Sequence, residues 1–222
     1  MALLETLRLV LAKPHRAGTP FIASGAAVAV AGLFIGYGVF WLGAFFALFC
    51  LYFFRDPERT PPPRPHLVLS AADGRVTSIQ LTVPPAELGL GAKPRWRVAT
   101  FLSILNVHVN RAPVSGTVAA IAYHKGQFLN ASLDKASELN ERNALSITLP
   151  DGRSLAVVQI AGLVARRILC DVRAGDAVLA GDRFGIIRFG SRTDIYLPPG
   201  VAPLVAVGQT MIGGETVIAD LA

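Results

Sequence analysis

The sequence has little charge and little cysteine. Only 16% of its 222 residues are Asp, Glu, Lys or Arg, and from Phe21 to Phe54 there are none at all. That uncharged run of 34 residues is well past the ~20 that one membrane-spanning helix needs, and too long for the apolar core of a cleaved leader. The two cysteines, Cys50 and Cys170, supply neither a disulfide framework nor metal-ligand spacing, so the chain reads as facing a reducing, cytoplasmic compartment with no metal site. No lysine follows Lys135, which excludes a lysine-tethered carrier from the C-terminal third. No unit of 20 to 50 residues repeats, which excludes a solenoid.

Hydrophobic residues make up 52% of the chain, with a mean hydropathy of +0.49. The apolar run is interrupted by Gly36-Tyr37-Gly38, which divides it into two helices of about 15 residues, a hairpin short for two full spans. Arg8, Lys13 and Arg16 precede it, and Arg55 and Arg59 follow. Basic flanks at both ends place both on the cytoplasmic side, which a hairpin satisfies and a single span does not. A hairpin buried in a soluble core is the competing reading; a membrane-anchoring region over residues 1–54 is favoured. The net charge of +6 and pI near 9.8 could suggest nucleic acid. However, the basic residues are scattered, with no aromatic-interleaved patch, and an anionic membrane surface is the simpler partner.

Residues 1–20 read as a short amphipathic lead stopped by Pro14. After the hydrophobic run, RDPERTPPPRPH cannot be helix and connects to a new domain, with the change of texture near residue 60. From Leu67 the chain is a succession of short β-type runs separated by turn residues. SITLPDGRSLAVV is a hairpin by its own chemistry, Pro-Asp-Gly joining two apolar runs. NASLDKASELNERN lacks strand alternation and reads as a loop or a brief helix. The domain over 55–222 is therefore mainly β, a sandwich or barrel of about eight to ten strands. Within it VRAGDAVLAGDRFGII has the double Gly-Asp spacing of biotinyl/lipoyl-type hairpins.

Few residues there can carry chemistry. Asp73, in SAADGRV, is an ordinary turn residue on its own, and Asp151-Gly152 repeats the same pair. His108, in FLSILNVHVNRAPVSG, shares a strand face with Asn106 and Asn110, opposite Val107 and Val109, which makes a polar stripe in an apolar chain. Glu141, Arg142, Arg166 and Arg167 read as solvated surface charges or as a bidentate holder for phosphate or carboxylate. Arg111 cannot serve as a base, because a guanidinium keeps its proton. Gly190-Ser191, in RFGSRTDIYLPPG, reads first as a turn. It is not a nucleophile elbow, since Phe189 and Thr193 stand where glycines are needed. Its other chemistry is internal: glycine leaves its carbonyl open to attack. The following serine can take over that acyl group on oxygen. Elimination and hydrolysis then leave a pyruvoyl group and ammonia.

Taken together, FRDPERTPP, ADGRV, the FLS-to-RAPVSG segment, LNERN, IAGLVARRI and GDRFGIIRFGSRTDIYLP resemble the short proenzyme type of the phosphatidylserine decarboxylases, in order from about Phe54 to Pro198. The resemblance implies self-cleavage between Gly190 and Ser191 into a β chain, 1–190, and an α chain, 191–222. It implies a covalent pyruvoyl cofactor made from Ser191, whose ketone captures the serine amine of the lipid and accepts electrons as carbon dioxide leaves. Phosphatidylethanolamine is the product. Ser191 matches the cleavage serine, Asp73 the aspartate of the ADG motif and His108 the first histidine of the FLS motif, with Arg111, Arg142, Arg166 and Arg167 as candidates for holding the substrate. Longer members have a second histidine where this chain has Arg111, so the identity of the cleavage base stays open.

The partners implied are phosphatidylserine, the membrane surface at its cytoplasmic face and the two chains of one precursor, with homo-oligomer formation left open. Two other classes compete. A membrane-anchored biotinyl/lipoyl-like adaptor would share the shape and remain one chain, and a serine hydrolase would keep Ser191 intact.

Overall fold

Glycine divides the apolar run where the sequence does. The computed structural model describes residues 12–126, 140–162, 167–188 and 190–222. Helix α1 (Thr19–Ile35) stops at Gly36, whose φ of 152° no side-chain-bearing residue adopts readily, and α2 (Tyr37–Phe53) begins at the next residue. Each helix has 17 residues, slightly more than the interruption alone suggested. They pack closely because small residues face each other. A methyl group at Gly32 would run into the backbone of Phe40, and one at Gly43 into that of Ala29. The two ends meet again where the His15 amide donates to the Phe54 carbonyl at 2.7 Å. Phe34 and Tyr37, beside the bend, are 88% and 81% exposed. Among the described residues one segment, Arg16–Ile35, is long and apolar enough to cross a membrane.

The chain forms two compact units, residues 1–58 and 59–222. The second opens with β1 (Leu67–Leu69), β2 (Gly74–Thr82), β3 (Arg95–Leu102), β4 (Val109–Arg111) and β5 (Gly116–His124). It continues with β6 (Arg142–Thr148), β7 (Ser154–Ala161), β8 (Arg167–Cys170) and β9 (Ala177–Val178). It closes with β10 (Arg183–Arg188), β11 (Ser191–Tyr196), β12 (Thr210–Met211) and β13 (Val217–Asp220). An eight-stranded sheet, ordered β12-β2-β3-β11-β7-β6-β5-β9, curls into a half-barrel; β4-β10-β8 and β1-β13 form two smaller sheets. The strands missing from the sequence reading are β1 and β12, with three and two residues, too few to show alternation.

The hairpin read from SITLPDGRSLAVV is β6–β7, with Thr148 opposite Ser154. Its turn is held by the Arg153 amide donating to Asp151 Oδ1 at 2.9 Å. The two Gly-Asp pairs form matching turns, in which Asp176 accepts from the Arg173 amide and Asp182 from the Leu179 amide. Most of NASLDKASELNERN lies outside the described residues.

Both faces of the large sheet are covered near its centre, so all six residues of β11 are buried. Ile195 joins Val98, Leu145 and Val157 in the main core; Tyr196, on the other face, packs with Ala144, Ala156 and Val158. Each fully buried leucine or isoleucine in these layers contributes about 1.5–3 kcal/mol. The result is a rigid frame whose central strand begins at Ser191.

Candidate active site

Strand β11 places Ser191 between Leu102 of β3 and Ala161 of β7. Its side chain is fully buried, and its Oγ has no hydrogen-bond partner among the described residues. An orphaned hydroxyl in such a place costs about 1–3 kcal/mol and calls for a reason. The residue before it, Gly190, sits at φ +66°, in the left-handed region, with nothing nearer to an added Cβ than Ile104 Cγ2 at 3.9 Å.

The Gly190 amide donates to His108 Nε2 at 3.2 Å. On the other side of the ring, His108 Nδ1 lies 3.0 Å from the Asn106 carbonyl oxygen. An amide N–H only donates and a carbonyl only accepts, so the pair fixes the neutral tautomer: the proton is on Nδ1 and the lone pair of Nε2 faces Gly190. The imidazole is fully buried just ahead of β4, where the Ile187 amide reaches the His108 carbonyl at 3.3 Å. His108 thus contacts the residue immediately before Ser191, though 82 residues separate His108 from Gly190.

Asp73 precedes β2. Arg75 is opposite Phe101, and Phe101 is opposite Arg192, so Asp73 stands at the same end of the sheet as Ser191, with β3 between. Its carboxylate accepts from Arg59 at 2.8 Å and from the Gly213 amide at 2.8 Å. Arg111 reaches the other end of β10 from His108, donating to the Gly181 carbonyl at 2.8 Å. Arg142 lies on the face of the sheet opposite Ser191 and pairs with Glu87, which also holds His124 at 2.9 Å. Burial works against the Glu87 charge, but the Arg142 and His124 contacts and its own backbone hydrogen bond win, and its carboxyl is held below the usual range. Arg167 opens β8 directly opposite Arg188 of β10, two residues before Gly190. Arg166 lies outside the described residues.

Four features escaped the sequence reading. Arg192 and Asp194, on the face of β11 opposite Ser191, form a fully buried pair. Their i, i+2 spacing in a strand was the available signal. Asn110 Oδ1 accepts from Gln159 Nε2 at 2.8 Å, and Gln159 Oε1 accepts from Asn143 Nδ2 at 2.9 Å. This chain of amides crosses between the two sheets and leaves Asn110 Nδ2 without a partner among the described residues. Only Asn110 could be suspected beforehand, as part of the stripe with His108. Arg59 read as a flank of the anchor and instead ion-pairs with Asp73. Arg188 flanks Gly190-Ser191 in the sequence with no role of its own to read from it.

A lone-pair-bearing imidazole against Gly190 and a buried serine hydroxyl on the next residue make a candidate serine–histidine site in a mainly β unit. Comparison with known proteins places it further. The phosphatidylserine decarboxylase family model matches residues 46–219. A phosphatidylserine decarboxylase proenzyme of Granulibacter bethesdensis is 68% identical over 221 residues, covering 100% of this chain and 91% of that protein. Proenzymes of the same description from Gluconacetobacter diazotrophicus and Gluconobacter oxydans are 64% and 63% identical, each covered in full by the whole of this chain. The chain belongs to the phosphatidylserine decarboxylase family.

Proposed function

We propose that this chain is the precursor of a pyruvoyl-dependent phosphatidylserine decarboxylase that cuts itself between Gly190 and Ser191. The observation that carries the reading is the 3.2 Å contact between the Gly190 amide and His108 Nε2, beside a buried Ser191 hydroxyl with no other described partner. Ser191 Oγ attacks the Gly190 carbonyl carbon as His108 Nε2 takes its proton. The same imidazole returns a proton to the Ser191 nitrogen as the C–N bond breaks, leaving an ester and a free amine. Removal of the Ser191 α-proton expels the Gly190 carboxylate. Water then replaces the nitrogen, ammonia leaves, and the new terminus carries a ketone.

The pyruvoyl group supplies, next to the chain amide, a carbonyl that accepts electrons during loss of carbon dioxide from the lipid's serine. The surrounding residues hold and orient. Hydrogen bonding of Asn106 to Nδ1 keeps the His108 lone pair toward Gly190. Asp73, at the same end of the sheet with its carboxylate held by Arg59 and the Gly213 amide, is assigned to orienting the site from across β3. Arg167 is the basic residue assigned to the lipid phosphate; Arg111 is buried at the far end of β10, and Arg142 belongs to the Glu87 cluster on the other face. The N-terminal region, residues 1–54, with its apolar helix pair, anchors the enzyme at the cytoplasmic face of the cell membrane.

A denaturing gel with mass analysis tests the reading. The mature protein should release a C-terminal piece of 32 residues (222 minus 190) whose amino end is blocked to Edman chemistry, and Ser191→Ala should remain one inactive chain. An uncleaved Ser191→Ala protein that still makes phosphatidylethanolamine would overturn it.

A further inference from the structure

The turn between β3 and β4 presents apolar side chains where a soluble surface would present polar ones. Ile104 is 47% exposed and Leu105 60% exposed. They are not held out by a floppy loop. Ser103 donates through both its amide and its hydroxyl to Asn106 Oδ1, at 2.9 and 2.8 Å, and the Asn106 amide returns to the Ser103 carbonyl at 2.9 Å. This side-chain-to-backbone lock fixes the tip. It stands beside the reactive peptide, with Ile104 Cγ2 3.9 Å from where a Cβ of Gly190 would lie. The asparagine that closes the turn also supplies the carbonyl that orients His108.

The same end of the molecule carries two arginines directly opposite each other, Arg188 and Arg167, on neighbouring strands. Like charges in that relationship repel. Burial first, and then the Arg167 guanidinium, make Arg188 less basic than an ordinary arginine. Apolar tips with cations behind them are the pattern of a segment that enters the boundary between headgroups and acyl chains.

We propose that the 103–106 turn is the bilayer-contacting tip of the catalytic unit. Ile104 and Leu105 enter the interface of a phosphatidylserine-containing membrane while Arg167 and Arg188 stand at headgroup level. The inference rests on the lipid-decarboxylase reading and adds to it how a buried Ser191 receives a headgroup without the lipid leaving the membrane. The tip holds the mouth of the site against the bilayer, so the serine headgroup has only to rise past Gly190.

The test uses the full chain reconstituted in phosphatidylcholine vesicles containing phosphatidylserine. In a Trp41→Phe, Trp96→Phe background, Leu105→Trp should emit to the blue and be quenched by lipids brominated on the acyl chain. Leu81→Trp, at the opposite end of β2 and 59% exposed as leucine, should not. An unquenched Leu105→Trp, or equal quenching at both positions, overturns the proposal.

Activity gives a second reading. Ile104→Ser with Leu105→Ser should still process to two chains and lose about tenfold or more in kcat/KM on vesicles, the scale expected when two apolar side chains lose their burial. On dihexanoyl phosphatidylserine below its micelle concentration it should match the parent. Equal loss on both substrates would make the turn part of the site's scaffold, and no loss on vesicles would make it idle; either outcome refutes the tip. A parent protein inactive on both substrates would instead refute the decarboxylase reading, with the quenching result still standing.

Discussion

Arg192 grips Asp194, two residues along the same strand, with Nε to Oδ1 at 2.8 Å and a second guanidinium nitrogen to Oδ2 at 2.9 Å. Both side chains are 1% exposed. Asp194 also has Arg97 at 3.9 Å, and Arg97 is fixed by Gln80 at 2.9 Å. The cluster occupies the back of β11, directly behind the strand face that carries Ser191. The chain that cleavage is proposed to release therefore begins with one residue facing the site and continues with one locked into the sheet.

Breaking that pair from one side should be expensive. Asp194→Ala strands a buried guanidinium, and loss of one partner of a buried ion pair costs about 3–5 kcal/mol. The unfolding midpoint should fall sharply, and the double replacement Arg192→Met, Asp194→Leu should recover most of the loss. A single variant as stable as the parent would mean that the cluster is not a stabilising anchor of β11.

His108 should matter to cleavage in proportion to its lone pair. His108→Ala should slow conversion of precursor to two chains by about 10²–10⁴-fold, the range typical of a positioned acid–base group. The accumulation of the 32-residue piece after synthesis, followed on gels, reads this directly. Asn106 acts through its backbone carbonyl, so Asn106→Ala should loosen the 103–106 turn and slow cleavage less. Cleavage at the parental rate in His108→Ala would assign the proton transfer elsewhere.

Gly190 is required for its conformation, not for space. With 3.9 Å to the nearest atom, a methyl group fits, but φ +66° costs an L-residue about 1–2 kcal/mol. Gly190→Ala should fold, and should process about 5- to 30-fold more slowly if that cost falls on the reactive conformation. Gly190→Val, branched at Cβ, should process more slowly still. Equal rates for all three would separate the left-handed conformation from the chemistry.

The site was legible where chemistry and spacing coincide, and hidden where it depends on pairing across the sheet. Gly190-Ser191 announces itself because a glycine carbonyl beside a serine hydroxyl has its own reaction. The half-barrel followed from runs of eight or nine residues such as β2 and β5, and the hairpin from Pro-Asp-Gly. Strands β4 and β8 have only three and four residues, too few to reveal their pairing with β10, so the small sheet that presents His108 to Gly190 could not be drawn. Gln159 looked like any polar residue in a strand. Its role as the middle of the Asn110–Gln159–Asn143 chain exists only once β4 lies over β7.

That amide chain yields a further expectation. Gln159→Leu removes a donor and an acceptor at once, leaving Asn110 and Asn143 with unsatisfied buried groups at about 1–3 kcal/mol each. The cost should appear as a lowered unfolding midpoint. Restoring an amide as Gln159→Asn should recover little of it, because the shorter side chain cannot span the gap between the sheets. Full stability in Gln159→Leu would mean that the three amides are merely adjacent.

Arg59 separates anchoring from catalysis. Its charge reads in the sequence as one of the basic residues flanking a membrane hairpin, yet its guanidinium lies 2.8 Å from Asp73, and their side chains are only 9% and 16% exposed. The next residue, Thr60, donates its amide to Glu215 at 3.1 Å. A chain beginning at Arg59 keeps both contacts and corresponds to the second compact unit. It should fold, remain in the soluble fraction and cleave itself. A chain beginning at His66 keeps every strand but loses both contacts, and should cleave more slowly because Asp73 is no longer tied in place. Arg59→Met in the full chain isolates the ion pair from the truncation and should reproduce the slower cleavage while membrane attachment stays intact. Should the chain starting at Arg59 fail to fold while Arg59→Met cleaves at the parental rate, the hairpin would be part of the core and the Arg59–Asp73 pair a surface decoration.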